Sequence, residues 1–230
     1  TAYEISACLV GSEMGIRYSP MPFAKLMSWT LDEYSRQQRI FGIDKAKFYK
    51  NNKGTAISIF GDTISSPIGP AAGPNSQLAH NIIAAYLTGS RFMELKTVQK
   101  MDGAELRACV PRPCINAEDE GYNVEWSTEL TVPEAMEEYI KAWIALSVLS
   151  KELGISPQRD FVFNMSVGYD LDGIKTPKID GYIEGMKDAS STQVWQDGIA
   201  WLRENGGRFS TVTAADIESI PPYVSNSITL

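Results

Sequence analysis

Positive charge, cysteine and long apolar runs are all scarce in this chain. It carries 21 Lys and Arg against 28 Asp and Glu, a formal net charge of −7, and its basic residues do not cluster. That argues against nucleic acid and anionic membrane surfaces as partners. No apolar run approaches the roughly 20 residues needed to span a bilayer. The opening "TAYEISACLVGSEMG" has neither the basic start nor the apolar length of a secretory signal. Three cysteines, an odd number, do not make a disulfide framework, so a reducing cytoplasm is the expected compartment. Cys109 and Cys114 in "CVPRPC" have four residues between them, with Cys8 far away. Zinc and iron–sulfur sites use four ligands at tighter spacing, so no metal site is expected here.

What the chain does have is enough apolar side chain for a sizeable core: 43% of its 230 residues are hydrophobic. That suits one domain or a large piece of one. It opens on Thr1, with Met14 available as a natural start, and closes on "SNSITL", a β-rich run with no turn behind it. Both ends read as cuts in something longer.

The stretch "PFAKLMSWTLDEYSRQQRIFG" predicts a helix. Pro22 suits its first turn, Phe23, Leu26, Met27, Leu31 and Tyr34 recur at helical spacing, and Gly42 is placed to cap its end. "GTAISIFGDTISSPIG" alternates around Gly61-Asp62 and predicts a hairpin feeding a longer strand. After it, Gly69, Ala71, Ala72 and Gly73 lay the backbone bare, which implies that something comes close to it. Asn75 or Ser76 is then placed to cap a helix carrying Leu78, Ile82, Tyr86 and Leu87, and Gly89 ends it. "RFMELKT" is a short buried strand. In "TVPEAMEEYIKAWIALSVLSKELG", Thr131 and Glu134 form a capping box, Met136, Tyr139, Ile140, Trp143 and Leu146 make the stripe, and Gly154 stops the helix.

"DFVFNMSVG" is the next strand, "PKIDGYIEGMKDA" the next helix, and another runs around Trp195 to Leu202 before Asn205-Gly206-Gly207. "ESIPPYVSNSITL" leads into a last strand. Strands alternating with crossover-length helices make this an α/β chain of parallel βα units. Three or four such units are present, whereas a closed (β/α)₈ barrel takes about 250 residues and eight. The layout fits the first half of a barrel. Residues 1–20 stay an unassigned leader, and residues 21–230 are expected to form the N-terminal portion of the barrel.

Ligands of a barrel meet the carboxyl ends of its strands. Those ends are "GPAAGP", "ELKTVQ" and "NMSVGYD". The first offers free backbone N–H groups beside small side chains, which suits a flat ring laid across the barrel mouth. The second places Lys96 and Thr97 there, a cation and a hydroxyl. The third offers Asn164, Ser166 and Tyr169. Taken singly, each has a plain reading: a tight turn, a surface charge, an amide bonded to a neighbouring loop. His80 reads as an exposed helix residue, and Glu118-Asp119-Glu120 as solvated loop charge. Ser166 has no histidine that the sequence can place beside it, which disfavours a nucleophile triad.

Together, "SPIGPAAGP" after a hairpin and then "FMELKTVQ" resemble the FMN-binding barrel of dihydroorotate dehydrogenases and dihydropyrimidine dehydrogenase. "LDEYSRQQRIFGI", "SRFMELKTVQ", "PCINAEDEGYNVEWSTEL" and "FNMSVGYDLDGIKTP" resemble more closely the selenate reductase flavin subunits, multidomain iron–sulfur flavoproteins with such a barrel. The likeness runs from Met21 to about Ala189. It implies FMN held by Ala71, Ala72, Gly73, Lys96, Thr97 and Asn164, and a substrate met by Asn123 and Glu125. It also implies electrons arriving from NAD(P)H through FAD and 4Fe–4S clusters in domains outside this chain, with redox partner subunits and a small oxidised molecule as substrate. The family's phosphate grip and proton-donating loop fall outside these residues, so no catalytic residue is assigned. The rival readings are a flavin-free aldolase-type barrel with Lys96 as the Schiff-base amine, and a non-catalytic scaffold that docks redox partners.

Overall fold

The computed structural model describes residues 20–52, 54, 56–109, 130–168 and 170–230. Helix α1 (Phe23–Gln37) begins after Pro22 and ends at Gln38, whose left-handed backbone (φ 53°) turns its N–H onto the Tyr34 carbonyl. Gly42 therefore does not cap this helix. It lies in the turn of a short hairpin, β1 (Arg39–Ile40) with β2 (Ile43–Asp44), where Phe41 and Gly42 have φ of 51° and 77°. A helix cap and a hairpin turn both ask for positive φ, so the glycine alone cannot tell them apart. The Glu33 carboxylate fastens the hairpin tip by accepting from the N–H groups of Phe41 and Gly42, each at 2.8 Å.

Strands β3 (Ile57–Ile59) and β4 (Asp62–Ile64) form the expected hairpin, but its turn is Phe60-Gly61 rather than Gly61-Asp62, because Asp62 pairs with Ile59. The chain then runs beside β5 (Phe92–Glu94). The Ile68 carbonyl accepts from Arg91 N and Phe92 N at 2.8 and 3.3 Å, and the Pro70 carbonyl accepts from Glu94 N at 3.2 Å. Pro70 has no N–H to give back and Ile68 donates its own to Ser66 Oγ at 3.3 Å, so this edge of the sheet is bonded in one direction. A Cβ at Gly69 would overlap the Phe92 carbonyl. What comes close to the bare backbone at Gly69 is thus the neighbouring strand. Beyond β5, strands β6 (Val162–Ser166) and β7 (Ile228–Thr229) continue a parallel sheet in sequence order.

The helices connecting these strands are α2 (Ala79–Leu87), α3 (Gly103–Cys109), α4 (Val132–Glu152), α5 (Leu171–Ile174), α6 (Pro177–Lys187), α7 (Gln193–Glu204) and α8 (Ala214–Glu218). Helix α4 lies at the centre of this layer, packed on α2, α6 and α7. Its capping box forms as the sequence implies: Thr131 Oγ1 accepts from Glu134 N, and the Glu134 carboxylate accepts from Thr131 N at 2.9 Å. The cap expected for α2 at Asn75 or Ser76 does not form. Those residues make a 3₁₀ turn, and α2 starts after Leu78 without a side-chain cap of its own. Glu138 of α4 supplies it, accepting from Ala79 N at 2.8 Å. His80 is buried rather than exposed, edge-on to the Phe41 ring with centroids 6.2 Å apart.

The amino ends of the strands are tied by a buried ionic network. Arg91 Nε donates to Asp160 Oδ2 at 2.8 Å, and Ser65 Oγ and Tyr86 OH donate to the same carboxylate at 2.7 Å each. The Arg91 guanidinium also lies over the Tyr86 ring, 4.0 Å from its centroid. Burial, with Asp160 next, pushes the Tyr86 phenol well above its ordinary value, so it remains a donor. Removing one partner of such a pair leaves a buried charge uncompensated, which costs about 3–5 kcal/mol. Arg91→Met should accordingly unfold the barrel domain at markedly lower denaturant in the intact protein. A midpoint within error of the parent's would show that the network contributes nothing.

At the periphery, Asp216 closes the capping box of α8 and accepts from Lys151 Nζ at 2.7 Å. The Lys151 hydrogen bond, more than any other contact, lowers the Asp216 pKa from 3.8 to about 2. A lowered folded-state value means that this stabilisation is present above the unfolded pKa and fades as pH falls towards 2. Exchange protection of the 213–218 amides, corrected for intrinsic rates, should fall between about pH 5 and about pH 2 in the parent. In Asp216→Asn it should be lower at the upper pH and change less. Parallel profiles for the two proteins would contradict this assignment.

Candidate functional site

The two faces of the sheet are distinguished by what they touch. Phe163 packs against Trp143 of α4, ring centroids 5.4 Å apart, so Phe163 and Met165 face the helix layer. Strand alternation then turns Val162, Asn164 and Ser166 to the opposite, interior face. On β5, Met93 and Leu95 are fully buried in the core, while Phe92 and Glu94 share the interior face with Val162 and Asn164, with which they are in register.

Past Glu94 the register changes. Leu95 N donates to the Asn164 carbonyl at 2.9 Å, and the next such bond, at 3.0 Å, runs from Val98 N to the Ser166 carbonyl. Glu94 pairs with Asn164, yet Val98 pairs with Val167. One strand advances four residues while the other advances three, which is a β-bulge carrying one extra residue. Alternation from Glu94 turns Lys96 to the interior, and the extra residue brings Thr97 to that side as well. Thr97 Oγ1 lies 2.8 Å from Ser166 Oγ, an interior residue.

Lys96 is buried, with 3% of its surface exposed, so it is not a plain surface charge. Its N–H donates to the Ser76 carbonyl at 3.3 Å, and its carbonyl accepts from Tyr139 OH of α4 at 2.7 Å. Burial pushes the Tyr139 phenol well up, so it stays protonated and donating. Asn164 Nδ2 donates to Thr229 Oγ1 of β7 at 2.8 Å. The loop after Pro70 is less open than its sequence implies. The Ala72 N–H donates to Glu94 Oε2 at 3.1 Å, and the Gly73 N–H to Ser76 Oγ at 3.3 Å. Two of the loop amides are therefore engaged within the chain.

The sequence candidates Ala71, Ala72, Gly73, Lys96, Thr97 and Asn164 thus lie along the carboxyl edge of successive parallel strands. Asn123, Glu125, Tyr169, Cys114 and the acidic run at 118–120 lie outside the described residues. Sequence reasoning missed Glu94 and Tyr139 as parts of this edge. The alternation of Glu94 and Lys96 around the apolar Leu95 was a usable signal for the first. Nothing local marks Tyr139, which reads as helix core. Among the described residues, no group of three or more His, Cys, Asp and Glu side chains could hold a metal ion. No helix among them is long and apolar enough to cross a membrane.

Residues 41–230 match the family described as "Oxidoreductase YgfK, N-terminal TIM-barrel domain". The chain belongs to that family. The YgfK proteins of Escherichia coli strain K12 and of Escherichia coli O157:H7 are each 51% identical to it over 178 residues. The match covers 77% of this chain and 17% of each relative, so the chain spans a small part of the length of the curated relatives it matches. No solved structure matches it. The parallel strands in sequence order are accordingly strands of a TIM barrel, whose carboxyl edge is where ligands of that fold bind.

Glu94 holds the Ala72 amide from the interior face, so its removal should loosen the 70–73 loop without touching the helix layer. Glu94→Ala should speed exchange of the Ala72 amide about tenfold, the lower end of what a hydrogen bond to a charged group contributes. Unchanged exchange in a folded variant would remove Glu94 from the site.

Proposed function

We propose that this domain is the flavin-holding barrel of an oxidoreductase, with FMN at the carboxyl edge of its strands. The observation that carries the reading is the buried Lys96 side chain, next to Thr97, whose hydroxyl meets Ser166 where the strands end. An amine is kept out of water at a cost, and lysine rarely stays buried without a task. The family name and the resemblance of "GPAAGP" and "ELKT" to FMN barrels support the same reading.

The donor set fits such a ring. Ala71, Ala72 and Gly73 present small side chains that leave a flat surface uncovered, with Ala71 exposed and its neighbours half-buried. Ala72 gives its amide to Glu94, so the loop serves as a platform rather than as a row of donors. A bound flavin supplies reversible hydride and electron chemistry that no side chain offers. The ammonium of Lys96 favours negative charge at its position, which a fixed cation in a partly dry site does without reorganising. The hydroxyls of Thr97 and Ser166 hold one another and fix the floor beside it.

In this reading electrons come from NAD(P)H through FAD and 4Fe–4S clusters elsewhere in the intact protein, and a small oxidised molecule is reduced. Asn123 and Glu125 would meet that substrate. An amide side chain, with donors and acceptors both, suits the imide edge of a pyrimidine-like ring. Nothing in these residues selects an oxyanion, so selenate is not part of the proposal.

Lys96→Met keeps the aliphatic stem and removes the charge. A hydrogen bond to a charged group contributes about 1.5–3 kcal/mol, so flavin affinity in the intact protein should fall roughly ten- to a hundredfold. The potential of the remaining flavin should become more negative. Flavin content and potential equal to the parent's would make Lys96 a structural residue and end this reading.

A further inference from the structure

We propose that Tyr139 is a positioning residue: its phenol, reaching in from the helix layer, fixes the bulge that turns Lys96 and Thr97 together onto the interior face. Regular alternation after Leu95 would put Lys96 inside, Thr97 outside and Val98 inside. Instead Val98 is fully buried and bridges Val167, which alternation places on the helix side with Phe163 and Met165. Thr97 meets Ser166 on the interior. The extra residue reconciles these facts, and a bulge of this kind re-aims side chains where a strand ends.

The Lys96 peptide is held from two directions. Its N–H goes to Ser76 of the loop at 3.3 Å, and its carbonyl receives the Tyr139 phenol at 2.7 Å. Tyr139 is itself immobilised, fully buried and edge-on to the Tyr182 ring with centroids 6.4 Å apart. The far strand is shaped to receive Thr97: a Cβ at Gly168 would sit 2.9 Å from the Thr97 methyl. Glu138, beside Tyr139 on α4, holds the start of α2 through Ala79 N. One turn of α4 therefore sets both the end of the loop that carries Ala71 to Gly73 and the bulge that carries Lys96. The inference rests on the flavin reading only for what Lys96 serves, not for how it is placed.

The test is competitive amine labelling of the intact protein at one fixed pH, read by peptide mass spectrometry, in the parent, in Tyr139→Phe and with 4-aminophenylalanine at position 139. The last restores a donor on the same ring. Lys96 labelling should rise about fivefold in Tyr139→Phe, the worth of one buried hydrogen bond. Lys151 and Lys187 should label as in the parent, and the amino variant should return Lys96 to parental reactivity. If Tyr139→Phe fails to fold, folding and parental labelling of the amino variant sustain the proposal. A folded Tyr139→Phe whose Lys96 labels as in the parent overturns it, as does an amino variant that behaves like Tyr139→Phe. Altered Lys96 labelling in a protein that holds no flavin on this barrel would keep the positioning role and discard the flavin.

Discussion

The structure depends on the burial of one helix on nearly all sides. Fourteen of the 21 residues of α4 are buried, among them Glu138, Tyr139, Lys141 and Trp143. A helix so placed has no solvated face to which a polar side chain can retreat. Each buried polar group must then find a partner in the surrounding elements, and finding it fixes those elements. Glu138 takes the first amide of α2, Tyr139 gives to the Lys96 carbonyl, and Lys141 Nζ donates to the Met21 carbonyl at 2.9 Å ahead of α1. Glu138 and Lys141 also pair with each other. Burial drives the Glu138 carboxyl up, and the adjacent ammonium pulls it back.

Buried ion pairs are poor sources of net stability, because desolvation offsets most of the attraction. Their effect here is to choose one arrangement among several of similar apolar content. An apolar replacement at Glu138 and Lys141 would pack as well, but would leave the start of α2 and the 70–78 loop without a fixed origin. The Arg91–Asp160 network does the corresponding work at the amino ends, joining Ser65, Tyr86, β5 and β6. The two ends of the sheet thus divide their roles. The amino end is closed by ionic groups that face one another, whereas the carboxyl end gathers Glu94, Lys96, Thr97, Asn164 and Ser166 along one edge. That division is the one expected of a barrel, whose stability resides at one face and chemistry at the other.

Much of this was legible in the sequence where the cause is local. The Thr131–Glu134 capping box, the β3–β4 hairpin (its turn one residue before Gly61-Asp62) and the stop at Gly154 follow from residues within one turn of each other. Reading failed where the partner is distant. Gly42 looks like a helix end because both candidate roles need the same φ, and only the pairing of β1 with β2 decides between them. Asn75 and Ser76 look like caps, but a carboxylate from α4, some 60 residues on, does the capping. His80 looks exposed because its helix follows a loop; the β1–β2 hairpin that covers it lies far back in the chain. The segment 66–70, with its two prolines, is readable as extended chain, and Gly69 as a point of close approach. That the approaching group is a backbone carbonyl could come only from the pairing.

The bulge is the sharpest case, because no residue in "ELKTVQ" announces it. A bulge is a mismatch between two strands, so it exists only in their joint register, and register here is set by residues about 70 positions apart. Its consequence nonetheless falls on two residues adjacent in sequence. Without it, Lys96 and Thr97 would point to opposite faces of the sheet, and a Lys-Thr pair could serve a ligand with only one of its two side chains. With it, a cation and a hydroxyl reach the same surface from a single step of backbone. The energetic condition is that the displaced peptide be bonded by something other than the adjacent strand. Tyr139 and Ser76 meet that condition from opposite sides, and neither is part of β6. The chemistry of this edge is thereby coupled to the helix layer behind it: a change in the packing of α4 against the sheet is a change in where Lys96 stands.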